Sequence, residues 1–190
     1  MSTLTPGLFG KLPAHGDFVR RGWGEGTVAA LDSWLGDGAA AIREKIGEDA
    51  YAARMRDAPI WRGFVPAGMA GDDALQLTLA PSVDRVGRLF FLAAGLAGDE
   101  QSVWGHVTGA PEYAEHVGEL FYATLAGKLD ATELVEAIAD AGGVPAGPAE
   151  VSPPADTRWW TGTSPIARPD VTASKLDKAL LDLLLRGATP

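Results

Sequence analysis

The chain of 190 residues contains no cysteine. That absence removes a disulfide scaffold, a thiolate metal site and a cysteine nucleophile together. Histidine is scarce, with only His15, His106 and His116. No apolar run is long enough to span a bilayer, the most apolar windows being Leu89–Ala97 and Leu180–Leu185. A secretory signal is also missing, because Pro6, Lys11 and Pro13 interrupt the first apolar stretch and no basic start precedes it. These absences predict a cytoplasmic protein. Basic excess is lacking too: the formal net charge is −9, and residues 97–150 hold ten acids against Lys128 alone. Non-specific nucleic-acid binding needs a phosphate-neutralising basic surface and is disfavoured. The acidic stretch reads as a solvated helical face.

What is present suits a packed core. Apolar residues make up 46% of the chain, with six Trp and six Phe, so no staple is needed. The length predicts a single domain over residues 1–190. Leu8–Leu12 reads as an opening strand ending at Pro13. A helix is expected from about Thr27, as N-cap, to about Gly47, with Val28, Leu31, Leu35, Ile42 and Ile46 near one face. Residues 48–58 continue as a short second helix. Strands are expected at Ile60–Val65, at Ala74–Leu79 with strict alternation, and at Leu89–Leu96 as a buried central strand. The last two flank Pro81–Arg88, which predicts a hairpin with an elaborate tip. Helices follow from Pro111 to about Ala126 and from a capping box at Asp130–Glu133 to Gly142. Residues 142–155 read as an exposed connector. Arg158-Trp159-Trp160-Thr161 reads as a late strand. A final helix over about Thr172–Arg186 carries Leu176, Leu180, Leu183 and Leu184 as its stripe. This order favours an α/β fold, a three-layer sandwich of a mixed sheet with helices on both faces, the alternative being an α+β sheet covered on one face only.

Two loop-bearing segments concentrate the chemistry: Gly7–Phe18 and Pro81–Arg88. Neither matches a nucleotide motif, since the spacing fails both the P-loop and the dinucleotide fingerprint. His15 and Asp17 are too few for a metal site, and Glu112 with His116 reads as an i,i+4 surface pair. No Gly-x-Ser-x-Gly elbow exists, and Ser82 and Ser164 sit beside prolines as turn hydroxyls. Three readings stay open. Asp84 pairs with Arg85, Arg88 or Lys11 and pins two strand ends. The loops form a protein-contact surface. Asp17 and Asp84 serve a small hydrolase or ligand-binding domain.

Gly7–Phe18 with Val19-Arg20-Arg21, Leu31-Asp32-Ser33-Trp34-Leu35, Ala58-Pro59-Ile60-Trp61-Arg62, Pro81–Arg88 and Arg158-Trp159-Trp160 together resemble the TagF family, also called ImpM. These are accessory proteins of the bacterial type VI secretion system. The resemblance covers nearly the full length, and His15 stands where it implies a basic residue. It implies a compact α/β sandwich and a cytoplasmic, post-translational repressor that binds a forkhead-associated scaffold protein of the system. No catalysis, cofactor, metal, nucleic acid or membrane insertion is implied. Some relatives carry a fused phosphatase domain, for which this length leaves no room. The contact surface would comprise Lys11, His15, Asp17, Phe18, Arg20, Asp84, Arg85 and Arg88.

Overall fold

The computed structural model describes residues 3–142, 151–161 and 170–187. In chain order the elements are β1 (Thr5–Gly10), β2 (Val19–Arg21), α1 (Glu25–Ile46), α2 (Glu48–Asp57), β3 (Trp61–Val65), β4 (Ala74–Val83) and β5 (Leu89–Gly98). After them come α3 (Glu100–Gly109), α4 (Pro111–Leu125), α5 (Ala131–Ala141), β6 (Thr157–Trp160), β7 (Val171–Ala173) and α6 (Lys178–Arg186). The strands form one sheet in the order β2-β1-β5-β4-β3-β6-β7.

Period-two alternation in β4 sorts its side chains to opposite faces. Leu75, Leu77 and Leu79 join Phe91 and Ala93 of β5 beneath α1, α2 and α6. Ala80, Leu92, Ala94 and Leu96 face the other way, against α4 and α5. Phe64 and Ala74 meet Val103 and Trp104 of α3 on that second face. The expected α/β layering with helices on both faces is therefore present. Within it the sheet is antiparallel throughout rather than mixed. The turns joining β3 to β4 and β4 to β5 are too short to allow a parallel crossover. Both helical excursions, α1–α2 and α3–α5, also return the chain antiparallel to its new neighbour.

Several boundaries differ from the expectation. Helix α1 begins three residues early, with Gly24 rather than Thr27 at its N-cap position, and Thr27 is buried in its first turn. The ladder continues through Pro81, Ser82 and Val83, so the hairpin tip is only Asp84–Arg88. Pro81 is tolerated because β3 stops pairing at Leu79, leaving β4 with a neighbour on one side only. The last helix starts at Lys178, since β-branched Val171 and Thr172 instead pair with Trp159 and Arg158. Its buried stripe is Leu180, Leu181, Leu184 and Leu185, and Leu183 is exposed. Strand β2 and helix α3 were not anticipated. The capping box at Asp130 is complete on both sides. Of the connector, residues 143–150 lie outside the described residues, as does Ser164.

Tryptophan ties the late elements to the early ones. The Trp34 indole N–H donates to the Asp177 carbonyl (2.9 Å), and that of Trp61 donates to the Leu184 carbonyl (2.7 Å). Trp159 lies flat on Gly63 of the neighbouring strand, where an added Cβ would sit 2.6 Å from its ring. Asp182 of α6 binds Arg54 (2.8 Å), Lys45 (3.4 Å) and Arg186. On the second face His106 is fully buried, its Nδ1 2.6 Å from Gln76 Oε1 and its ring edge-on to Tyr113. Burial holds the His106 pKa below its ordinary value.

Two outcomes are expected. Gly63→Ala forces the Trp159 indole off its strand and destabilises the fold by about 1–3 kcal/mol, read by denaturant unfolding. A buried neutral imidazole must charge in acid, so stability declines as pH falls below the unfolded-state pKa of about 6.5. His106→Gln lacks this component. The Tm difference between wild type and variant should therefore narrow between about pH 7.5 and pH 5.

Candidate functional site

The site begins where β1 leaves the ladder at Gly10, whose φ is 137°. A Cβ there would lie 2.1 Å from the Phe91 carbonyl oxygen, so only glycine allows this approach. The next amide, Lys11 N–H, donates to that same carbonyl at 3.0 Å. The Ser82 hydroxyl donates to the Lys11 carbonyl at 2.6 Å. Both contacts hold the Lys11–Phe18 loop against the β4–β5 hairpin.

Asp84 organises the hairpin tip. Its Oδ1 accepts the backbone N–H groups of Val86 (3.1 Å) and Arg88 (2.9 Å), closing the turn on its own first residue. Its Oδ2 accepts Lys11 Nζ (3.0 Å) and Arg88 Nε (2.6 Å). The Asp84 side chain has no exposed surface, and that of Lys11 is 9% exposed. Burial alone would raise the Asp84 pKa. The hydrogen bonds from the Arg88 amide, the Lys11 ammonium, the Arg88 guanidinium and the Val86 amide outweigh it and hold the carboxyl far below the usual carboxylate range. Of the three cations considered as partners for Asp84, the structure pairs it with Lys11 and Arg88, while Arg85 is exposed.

Arg88 extends the clamp to the first loop. Its Nη2 donates to the Gly16 carbonyl (2.6 Å) and lies 3.8 Å from Asp17 Oδ1. The Arg85 backbone N–H donates to the His15 carbonyl at 2.8 Å. His15 Nε2 accepts the Ala131 N–H at 3.3 Å, which links this loop to the first turn of α5. That bond requires the imidazole tautomer with its proton on Nδ1. Phe18 stacks on Phe9 (5.8 Å between centroids, 9° between planes) and meets Phe90 edge-on (4.8 Å, 80°). The Lys11 ammonium lies 5.1 Å from the Phe18 centroid, yet half of Phe18 remains exposed. Arg20 sits on β2 directly opposite Phe9.

The arrangement thus gathers Lys11, Asp84, Arg88, Asp17 and Phe18 through side chains, and His15 and Arg85 through their backbones. Arg20 joins by register alone. Sequence reading missed the aromatic nest of Phe9, Phe18 and Phe90 and the Gly16 carbonyl. A large apolar residue standing in a charged loop, as Phe18 does, is the one signal that pointed to it. Asp17 and Asp84 are chemically opposite, one 99% exposed and one saturated with donors. Among the described residues no three His, Asp or Glu side chains converge as metal ligands. On the outer surface of α4, His116 pairs with Glu119 (4.0 Å) rather than with Glu112. Glu112, Glu115 and Glu119 of α4 and Glu133, Glu136 and Asp140 of α5 are all exposed.

Asp84→Asn removes the charge that three segments share and leaves Lys11 enclosed without a counter-ion. A Tm loss on the order of 10 °C is expected at neutral pH, read by circular dichroism. The folded-state pKa is depressed, so the contribution is complete above the unfolded-state value of about 4 and is lost as pH falls below it. The gap between wild type and variant should therefore shrink in acid.

Among the described residues no helix is long and apolar enough to cross a membrane. Residues 7–141 match the family model described as the TagF N-terminal domain, type VI secretion system-associated. All the clamp residues fall inside that segment. The crystal structure of PA0076 from Pseudomonas aeruginosa PAO1 is similar, with a TM-score of 0.67 and 28% identity over 82% of this chain and 81% of that one. No curated protein matches the chain. Loops and match together place the chain in the TagF N-terminal domain family of type VI secretion system-associated proteins.

Proposed function

We propose that this protein is a non-enzymatic, cytoplasmic regulator that represses type VI secretion post-translationally by binding a forkhead-associated scaffold protein of the system. The single observation that carries this reading is the state of Asp84. A general acid or base needs an accessible proton and a pKa near working pH. Asp84 is enclosed, accepts four hydrogen bonds and is held strongly ionised. The same bonds immobilise two loops whose outer side chains face solvent, as a docking surface requires.

The contact surface is assigned to the loop bearing Lys11, His15, Asp17 and Phe18, to Arg20, and to the tip bearing Asp84, Arg85 and Arg88. Lys11 and Asp84 act from beneath by holding the backbone. The competing hydrolase reading needs two carboxylates flanking a substrate, and the buried, saturated Asp84 weighs against it.

A pull-down with the cognate scaffold protein tests the reading. Wild-type protein should retain the scaffold, and Asp17→Ala and Arg85→Ala should weaken retention while unfolding at the wild-type temperature. Folded variants that bind normally would take these loops out of the interface. Overproducing wild-type protein should reduce secretion in cells without changing the abundance of the secretion components, read by immunoblot.

A further inference from the structure

The clamp leaves a local charge pattern opposite to that of the whole molecule. The chain carries a net −9, but the side chains rising around Phe18 are mostly cationic. Arg88 spends its Nε on Asp84 and turns its Nη2 to Gly16, yet its side chain remains 58% exposed. The Arg85 guanidinium lies beside Gly16, with Nη2 3.3 Å from where a Cβ would be. Arg20 is in register with Phe9, and residues in register share a face, so it stands on the face of the Phe9–Phe18 stack. Arg20 and Arg85 are exposed and have no carboxylate partner among the described residues. The two loops also expose two apolar groups, Phe18 at 50% and Val86 at 70%.

Phe18 differs from an ordinary surface aromatic because its position is fixed. Phe9 stacks on it and Phe90 meets it in a T-shaped contact, and Asp17 beside it lies 3.8 Å from Arg88. A ring held this way loses little freedom when a second apolar group lands on it. Unpaired guanidinium groups beside it attract carboxylates and orient them bidentately.

We propose that the surface formed by Phe18, Val86, Arg20, Arg85 and Arg88 receives an acidic protein segment that seats an apolar side chain against Phe18 between the guanidinium groups. This rests on the reading of the two loops as a contact surface and specifies the chemistry of what they contact. An anionic membrane offers the same charge sign, but a plane meets the whole molecule. The −9 body and the fully exposed Asp17 carboxylate oppose that approach. A peptide segment meets only the patch, and its own donors can face Asp17.

The test uses the full chain and defined probes. A short synthetic peptide of Glu and Asp around one Phe is titrated while backbone amide shifts are followed by NMR. Controls are the same peptide with Phe→Ser, its Lys-substituted counterpart, and phosphatidylcholine–phosphatidylserine vesicles. The expected result is a set of shifts confined to residues 15–21 and 84–88, weaker with the Ser peptide and absent with the Lys peptide. Affinity should fall about tenfold or more in an Arg20→Glu, Arg85→Glu double variant. It should fall again near 1 M salt, where screening acts within about 3 Å. Absence of shifts, shifts that persist in the double variant, or binding to the vesicles but not to the peptide would overturn the proposal.

Purified scaffold protein forms the second arm. Scaffold that binds wild type and double variant equally overturns this surface and leaves the regulatory reading standing. Peptide shifts with no scaffold binding retain the surface for an acidic partner and remove the scaffold. A tenfold loss of scaffold affinity in the double variant supports both.

Discussion

A carboxylate with no access to water has to be met by donors, because an uncompensated buried charge costs several kcal/mol or more. Asp84 imposes that constraint here. Its donors come from its own turn and from Lys11, 73 residues earlier in the chain. Once they are in place, the end of β1, the end of β4 and the hairpin tip have little remaining choice of geometry. Arg88 then carries the constraint outward, since its second arm fixes Gly16 and with it the approach to Phe18. The exposed residues of the site inherit their positions from a group that no partner would touch.

The same geometry decides what the carboxylate can do. Four hydrogen bonds occupy the lone pairs a reaction would need, and ionisation is favoured far below neutral pH. An anchoring role and a proton-transfer role are therefore alternatives at this position. Asp17 shows the contrast: the same side chain, nearly adjacent through Arg88, is left in bulk solvent. Burial and donor count separate the two far more than residue type does.

Much of the architecture was legible in local pattern. Leu75-Gln76-Leu77-Thr78-Leu79 alternates because one face meets α1 and α6 while the other must satisfy His106 through Gln76. Asp130 and Glu133 announce α5 by spacing alone, and the reciprocal bonds form. The elements that escaped notice lacked such signals. Strand β2 has three residues, too few for a period, and is held by its register with β1. Helix α3 contains Gly105, Val103, Val107 and Thr108, weak helix formers whose place is set by packing of Val103 and Trp104 on the sheet. At the site, Arg88 was readable as a partner four residues from Asp84. The Lys11 contact depends on β1 lying beside β5, which no local spacing reveals. The nest of Phe9, Phe18 and Phe90 escaped for the same reason.

The seating of Trp159 on Gly63 bears on how the molecule divides. The family segment stops at residue 141, yet β6 pairs with β3, and α6 shares one apolar cluster with α1, α2 and β4. A chain cut at that boundary would turn β3 into a bare sheet edge, open to pairing with other molecules. Trp34 and Trp61 would lose the carbonyls that now accept their indole protons, and the floor under α1 would open to water. The stretch by which the family is recognised is thus shorter than the stretch that has to fold together. An excised fragment matching that stretch alone would be prone to aggregate, whatever the quality of its loops.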